Sequence, residues 1–529
     1  MAVTETPPET APAVSESAPS APRPQPTGLA AVLGSGDHKV IGRLYIGSGL
    51  TLGLGVLVLA ALFSWEAASS PATLQVFSVG SAFQLFTLFR IGEVFLLALP
   101  LAIGVGLVVV PLQVGARTVA FPRAAAASYW IWLMGAALLI ASYAIDGGPG
   151  GERAKGIDLW IAAMGLLTIG VLVAAVSLAT TVLALRAPGL NISRTPFYAW
   201  SVCVAAILWI LTLPVLLGLL VLMYVDHRHG GSGVGAASGL YGHLGWVLRN
   251  PQIYVVAIPV LGFAADVLTT TSRSRVALRP VIIGGIGAFG VLSFGAFLAT
   301  GDAQALKTPL FIGMALAALL PILAVLAGSA DTFRKGSFKP TAAVVYAVAS
   351  LLALLLGVAA GALGSIPAMK VTGTIYDIGT NAAVVLASVI ASLGGVHWWA
   401  TKVLRQPAKE GPGFLAPVLL LGGAAVLAIT DVVSGIIGKG AELSPDYTGG
   451  VKGLNVVAVI GVALLALGLL SAIAALLPAL KGADDVPADP WTGSTLEWLA
   501  PSPPPLGNFD ADLPVVTSPE PLIDLREEA

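Results

Sequence analysis

Twelve apolar stretches, most of about twenty residues and set apart by short polar turns, constrain this chain more than any other feature of its sequence. They read Leu44–Trp65, Phe89–Val110, Ala126–Ile145, Leu159–Leu185, Trp200–Val225, Tyr254–Leu268, Val281–Ala299, Leu310–Ala327, Ala342–Ala362, Ala382–Trp399, Pro417–Ile437 and Val456–Leu477. A helix rises about 1.5 Å per residue, so about twenty residues cross the hydrocarbon core of a bilayer. The runs are too long and too uniformly apolar for the alternating strands of an outer-membrane barrel, and their many Gly and Ala residues suit close helix contacts. With 56% hydrophobic and 10% charged residues among 529, the chain has no room for a sizeable soluble domain. The expected fold is an all-α polytopic membrane bundle of about twelve transmembrane helices, occupying residues 41–480.

The ends differ in character. Residues 1–40 are rich in Pro, Ala, Ser, Thr and Glu, with neither an early basic segment nor an apolar core for a signal peptidase, and are expected to form a disordered tail. Residues 481–529 form a second polar, Pro-rich tail. Basic residues gather in alternate connections: Arg117 and Arg123; Arg186 and Arg194; Arg273, Arg275 and Arg279; Arg334, Lys335 and Lys339; Lys402, Arg405 and Lys409. The positive-inside rule turns these loops and both termini to the cytoplasm of an inner or cytoplasmic membrane. A net charge of -1 gives no reason to expect nucleic acid as a partner. The single cysteine, Cys203, excludes an intrachain disulfide and any Cys-rich metal site, and reads as packing.

Ionisable groups at membrane depth each cost about 2.5–3.5 kcal/mol on insertion scales, so those that remain need a partner or a role. Arg90 and Glu93 stand three apart on one helix face and are expected to pair. Asp266, near the end of its run, is expected to meet Arg273 or Arg275 at the interface. The Gly-rich stretch from Gly230 to Gly242 follows no strand and reads as a loop.

Phrases scattered in order along the chain resemble subunit I of the haem-copper oxidases, the catalytic subunit of cytochrome c oxidase. They include Ala120-Phe121-Pro122-Arg123, Arg186-Ala187-Pro188-Gly189, Tyr241-Gly242-His243-Leu244-Gly245-Trp246, Asn250-Pro251-Gln252-Ile253-Tyr254, His397-Trp398, Pro445-Asp446-Tyr447, Thr495-Leu496-Glu497-Trp498 and Ser502-Pro503-Pro504-Pro505. The resemblance implies that family's bundle over nearly everything after the first tail. It also implies imidazole ligands for two haems and a copper ion.

The chain departs from the family at those ligands. Its 5 histidines are His38, His227, His229, His243 and His397, and none falls at a ligand position. The resemblance places Phe89, or its neighbour Arg90, at the second-helix haem ligand, Asn250 at a copper ligand and Gln252 at the proton-carrying glutamate, while Tyr254 keeps the tyrosine. It places Gly295 and Ala296 at the paired copper ligands, and Gly379 and Asn381 at the haem ligands of the tenth helix. Thr118 and Val325 fall where proton-uptake residues are expected. If the family fold holds, Asn250, Gln252, Asn381 and Asp377 gather where metals would sit. No haem, copper or other cofactor is expected on this reading.

Three functions follow from these residues. The first is a non-catalytic subunit or assembly partner of a respiratory or monooxygenase membrane complex, with the bilayer and other membrane subunits as partners. The second is an active terminal oxidase passing electrons to oxygen with proton pumping, which requires ligands elsewhere. The third is a path for a small solute or ion through the vacated haem spaces, marked by Arg90 and Asp377.

Overall fold

The computed structural model describes residues 28–69, 76–230, 240–249, 252–293, 309–336, 340–440, 450–481 and 486–529. Residues 1–35 form one unit, which carries a short helix at Leu29–Leu33, and residues 36–529 form the other. Eleven helices among the described residues are long and apolar enough to cross a membrane. Numbered here in chain order with one shorter apolar helix, they are α1 (His38–Ser69), α2 (Gly80–Gln113), α3 (Pro122–Ala144), α4 (Ala154–Ala184), α5 (Phe197–Arg228), α6 (Tyr254–Ser272), α7 (Arg279–Ser293), α8 (Pro309–Lys335), α9 (Ala342–Gly364), α10 (Tyr376–Trp398), α11 (Glu410–Ile436) and α12 (Gly450–Leu480). The shorter one, α7, is the first part of the expected seventh span, whose remainder lies outside the described residues.

Helix composition sorts the bundle into centre and rim. The most apolar window of α2 is 94% buried and that of α6 is wholly buried, whereas the corresponding window of α1 is only 28% buried and leaves Leu54, Val58 and Trp65 turned outward to lipid. Small residues let the central helices meet backbone to backbone. A Cβ added at Gly42 of α1 would come within 2.5 Å of the Gly104 carbonyl of α2, so this crossing tolerates nothing larger than glycine.

Helix α2 is not uniform. It begins in α geometry, changes to π geometry over Glu93–Ala98, where the Leu99 amide reaches back five residues to the Val94 carbonyl, and then resumes. From this wide turn the Phe95 carbonyl accepts a 2.9 Å bond from Trp132 Nε1 of α3.

The end of the chain packs onto one face of the bundle. Trp491 stacks on Trp398 with ring centres 4.8 Å apart, Trp498 meets Trp398 edge-on at 5.7 Å, and the Val516 amide donates to the Pro188 carbonyl. Residues 486–529 reach several of the basic loops on that face. Asp512 pairs with Arg117, the Val516 carbonyl accepts from Arg194, Asp524 pairs with Arg275, and Lys402 donates to the Ala500 carbonyl. Four of the five loops grouped by charge in the sequence therefore share a face, and the Pro-rich segment lies across it.

Candidate functional site

Two polar clusters stand along α2, one near its middle and one at its C-terminal end. The first is built around its π turn. Arg90 donates to Glu93, the pair that their spacing predicts, and both side chains are buried. Asp431 of α11 comes within electrostatic reach of this pair and of Lys439, and Asp377 at the start of α10 lies within reach of Arg90 and Arg249. Lys439 donates to Asn455 Oδ1 of α12 at 2.8 Å, and Asn455 Nδ2 donates to the Ala67 carbonyl at the end of α1. Three acids and three cations thus balance one another across α2, α10, α11 and the segment before α6. Of the six only Arg90 and Glu93 are buried, and they pair with each other as charges taken from water must; Asp431 and Lys439 are half-buried, and Asp377 and Arg249 are exposed.

Helix packing is close beside this cluster. Gly379 of α10 faces α11 so closely that an added Cβ would lie 2.6 Å from Asp431 Cβ and 3.0 Å from the Ala428 carbonyl. Two residues on, Asn381 Nδ2 donates to the Leu248 carbonyl at 2.8 Å. Phe89 lies in an aromatic group with its ring 6.1 Å from Phe63. Tyr254 is buried and stacks on Phe289 at 5.7 Å, with its hydroxyl in reach of the Asp377 charge. Gln252 borders a cavity of about 20 Å³ among Val94, Phe95, Trp209, Thr212 and Trp246, enough for a water molecule. Asn250, Gly295 and Ala296 lie outside the described residues.

The histidines have other duties. His38 sets its two ring nitrogens against the Leu107 carbonyl and Asn508 Oδ1, at 2.7 and 3.0 Å, and His397 faces Glu410 at 3.2 Å. His229 lies exposed with Nδ1 against the Val225 carbonyl, and His243 is also exposed. Among the described residues no three His, Cys, Asp or Glu side chains converge to hold a metal ion.

The second cluster corrects the expectation for Asp266. Its partners are not Arg273 or Arg275; Arg275 is taken by Asp524 and Glu527. Asp266 instead turns inward to the start of α5, which has no side-chain cap of its own. It accepts from the Phe197 amide at 3.0 Å and the Tyr198 amide at 2.9 Å, while Gln113 Oε1 accepts from the Ala199 amide at 3.0 Å. A helix start leaves just such donors unpaired, and its positive end favours an anion. Gln113 Nε2 then donates to Asp266 Oδ2 at 2.9 Å and to Glu497 Oε1 at 3.1 Å, joining two buried carboxyl groups through one amide.

Sequence reasoning missed Asp431, Gln113 and Glu497 as site residues. Asp431 carried a usable signal, a lone acid inside the apolar run Pro417–Ile437. Glu497 stands in one of the phrases that carry the resemblance, but its burial against Gln113 is supplied only by the fold.

The fold and its buried charges define a polytopic α-helical membrane protein. Residues 40–464 match the family model described as cytochrome c and quinol oxidase polypeptide I, and the chain belongs to that family. It is 29% identical to a proposed cytochrome c oxidase subunit 1-beta of Streptomyces avermitilis, over 93% of this chain and 91% of the relative. It is 27% identical to cytochrome c oxidase subunit 1 of Bacillus subtilis, over 92% of this chain and 81% of that protein. The solved structure of a heme-copper terminal oxidase dimer superposes with a TM-score of 0.65 at 15% identity, covering 92% of this chain and 89% of that one. That likeness concerns the fold.

Proposed function

We propose that this subunit I-like membrane protein has given up its family's metal centres and serves as a non-catalytic subunit or assembly partner of a respiratory or monooxygenase membrane complex. The observation that carries this reading is the contact between Gly379 and Asp431. The family resemblance puts the haem-ligating imidazoles of the tenth helix at about Gly379–Asn381, and at Gly379 even a methyl group would collide with the neighbouring helix.

The donor set at the other described positions does not fit haem or copper either. Phe89 offers no lone pair, Arg90 is a cation held by Glu93, and the Asn381 amide nitrogen is committed to the Leu248 carbonyl. The three-acid, three-cation cluster supplies in place of a cofactor a set of opposite charges on α2, α10 and α11 within electrostatic reach of one another. Orientation follows from charge: the face bearing Arg117, Arg194, Arg275 and Lys402 is cytoplasmic, and both termini lie there.

The test is the reduced-minus-oxidised absorption spectrum of the purified chain, with iron and copper measured on the same sample. The expected result is no haem band and neither metal at a stoichiometric ratio, together with a second membrane protein retained at fixed ratio in mild detergent. A haem band near one-to-one would overturn the reading and restore the oxidase. A metal-free chain that stays alone and monodisperse would remove the partner role.

A further inference from the structure

The C-terminal segment meets the bundle through a carboxyl group that is incompletely satisfied. Glu497 is 1% exposed, on a short turn of helix at Leu496–Leu499. Its Oε1 accepts from Gln113 and, at 3.4 Å, from Trp399 Nε1. Its Oε2 is buried and receives no well-aligned hydrogen bond, with the Thr495 side chain and the Glu497 amide the polar groups nearest the carboxyl on its own segment. An ionised carboxylate needs donors on both oxygens to survive burial, whereas a carboxylic acid places a proton on one of them and leaves the other to accept.

The neighbouring charges decide where that proton resides. Asp266, joined to Glu497 through Gln113, has three donors and sits at the positive end of α5, so of the two carboxyl groups it is the better provided for as an anion, and its charge repels a second one. Arg279 lies within electrostatic reach of Asp266. Lys402 is near enough to feel Glu497 and Asp489, yet its ammonium donates to the Ala488, Ala500 and Pro501 carbonyls and to Ser502 Oγ. Tyr198, Gln113 and Trp399 complete the surroundings without adding charge at neutral pH. Two carboxyl groups in contrasting environments differ in their claim on a proton: Asp266 has donors on both oxygens, and Glu497 has an oxygen without a well-aligned one.

We propose that Glu497 is a proton-operated latch: its neutral acid lets the segment around Thr495–Ala500 dock on Gln113 and the start of α5, and its ionised form loosens that docking. Burial first, and the Asp266 charge second, push the Glu497 carboxyl up to about 7, against the pull of Thr495 and the local backbone amide. The docked group therefore holds its proton more tightly than the released group, which returns to an ordinary glutamate value of about 4.3. The stabilisation is fully present below that ordinary value, is lost as pH rises through the window up to about 7, and changes no further above it.

The experiment is hydrogen exchange followed by mass spectrometry on the full chain in detergent. It would run from about pH 5 to about pH 8, with rates corrected for the chemical pH dependence of exchange. The readout is taken on peptides covering residues 491–500, which exclude the separate contact between His38 and Asn508. Protection should fall by up to about tenfold per pH unit until about pH 7 and then level off, and Glu497→Gln, which stays neutral, should flatten the profile. A flat wild-type profile overturns the latch, and so does a Glu497→Gln profile with the wild-type slope. Should Glu497→Gln fail to fold, the wild-type profile alone still decides, since a latch without a pH slope is no latch.

Discussion

Gly379 of α10 and Asp431 of α11 stand back to back, with space for a hydrogen atom between them and none for a methyl group. This contact fixes the distance between the two helices, and it sets the Asp431 carboxylate within electrostatic reach of Arg90 and Lys439. Gly379→Ala should force the helices apart and cost about 1–3 kcal/mol of stability. Gly313→Ala is the control, because nothing lies within 4 Å of that position, and it should cost nothing. Thermal melts of both variants in one detergent check the difference; equal melting temperatures would refute the close contact.

The Arg90–Glu93 pair should behave as a buried ion pair. Glu93→Gln removes the anion facing a guanidinium that is only 3% exposed, and should cost about 3–5 kcal/mol. Arg90→Met combined with Glu93→Gln should recover most of that loss, since neither charge then remains buried. A double-mutant cycle on melting temperatures measures the coupling, and simple additivity would mean that the two side chains act independently.

The sequence revealed elements whose causes are local. A span is legible because apolar length is counted along the chain, and Arg90–Glu93 is legible because three residues make most of a helical turn. The Asp266 site was not legible, for its partners are distant in the chain: Gln113 is 153 residues away and Glu497 is 384 residues from Gln113. The sequence displayed Arg273 and Arg275 as the nearest cations to Asp266, and proximity in sequence proved a poor guide to proximity in the bundle. Asp431 was legible in principle, since the reasoning that flagged Arg90 applies to any acid in an apolar run.

Lys402 should prove the chief electrostatic tie of the C-terminal segment. Its ammonium gathers oxygens from Ala488, Ala500 and Ser502 and lies 5.8 Å from the centre of the Trp498 ring. Lys402→Met keeps the length of the side chain and removes its donors, leaving partly buried carbonyls unpaired at about 1–3 kcal/mol. Residues 486–529 should then become sensitive to a protease dose that spares the wild-type segment, while the membrane helices keep their melting temperature. An unchanged digestion pattern would assign the docking to Trp491 and Trp498 instead.

Asp266→Asn separates the two tasks assigned to Asp266, capping α5 and setting the charge felt by Glu497. Asparagine keeps one oxygen for the Phe197 and Tyr198 amides, so the cost in stability should be about 0.5–2 kcal/mol, in the range of a weakened cap. Its effect on Glu497 should be larger in kind. The Asp266 charge helps to hold the Glu497 carboxyl near 7, and removing it lets that carboxyl ionise at lower pH. Because the raised value defines the upper edge of the window in which docking weakens, the fall in protection over residues 491–500 should level off at a lower pH than in the wild type. Burial alone still favours the neutral acid, so a slope should remain and end earlier. Hydrogen exchange across the same pH series reads both effects at once. An upper edge that stays in place would show that burial by itself sets the Glu497 proton affinity and that the two carboxyl groups are not coupled.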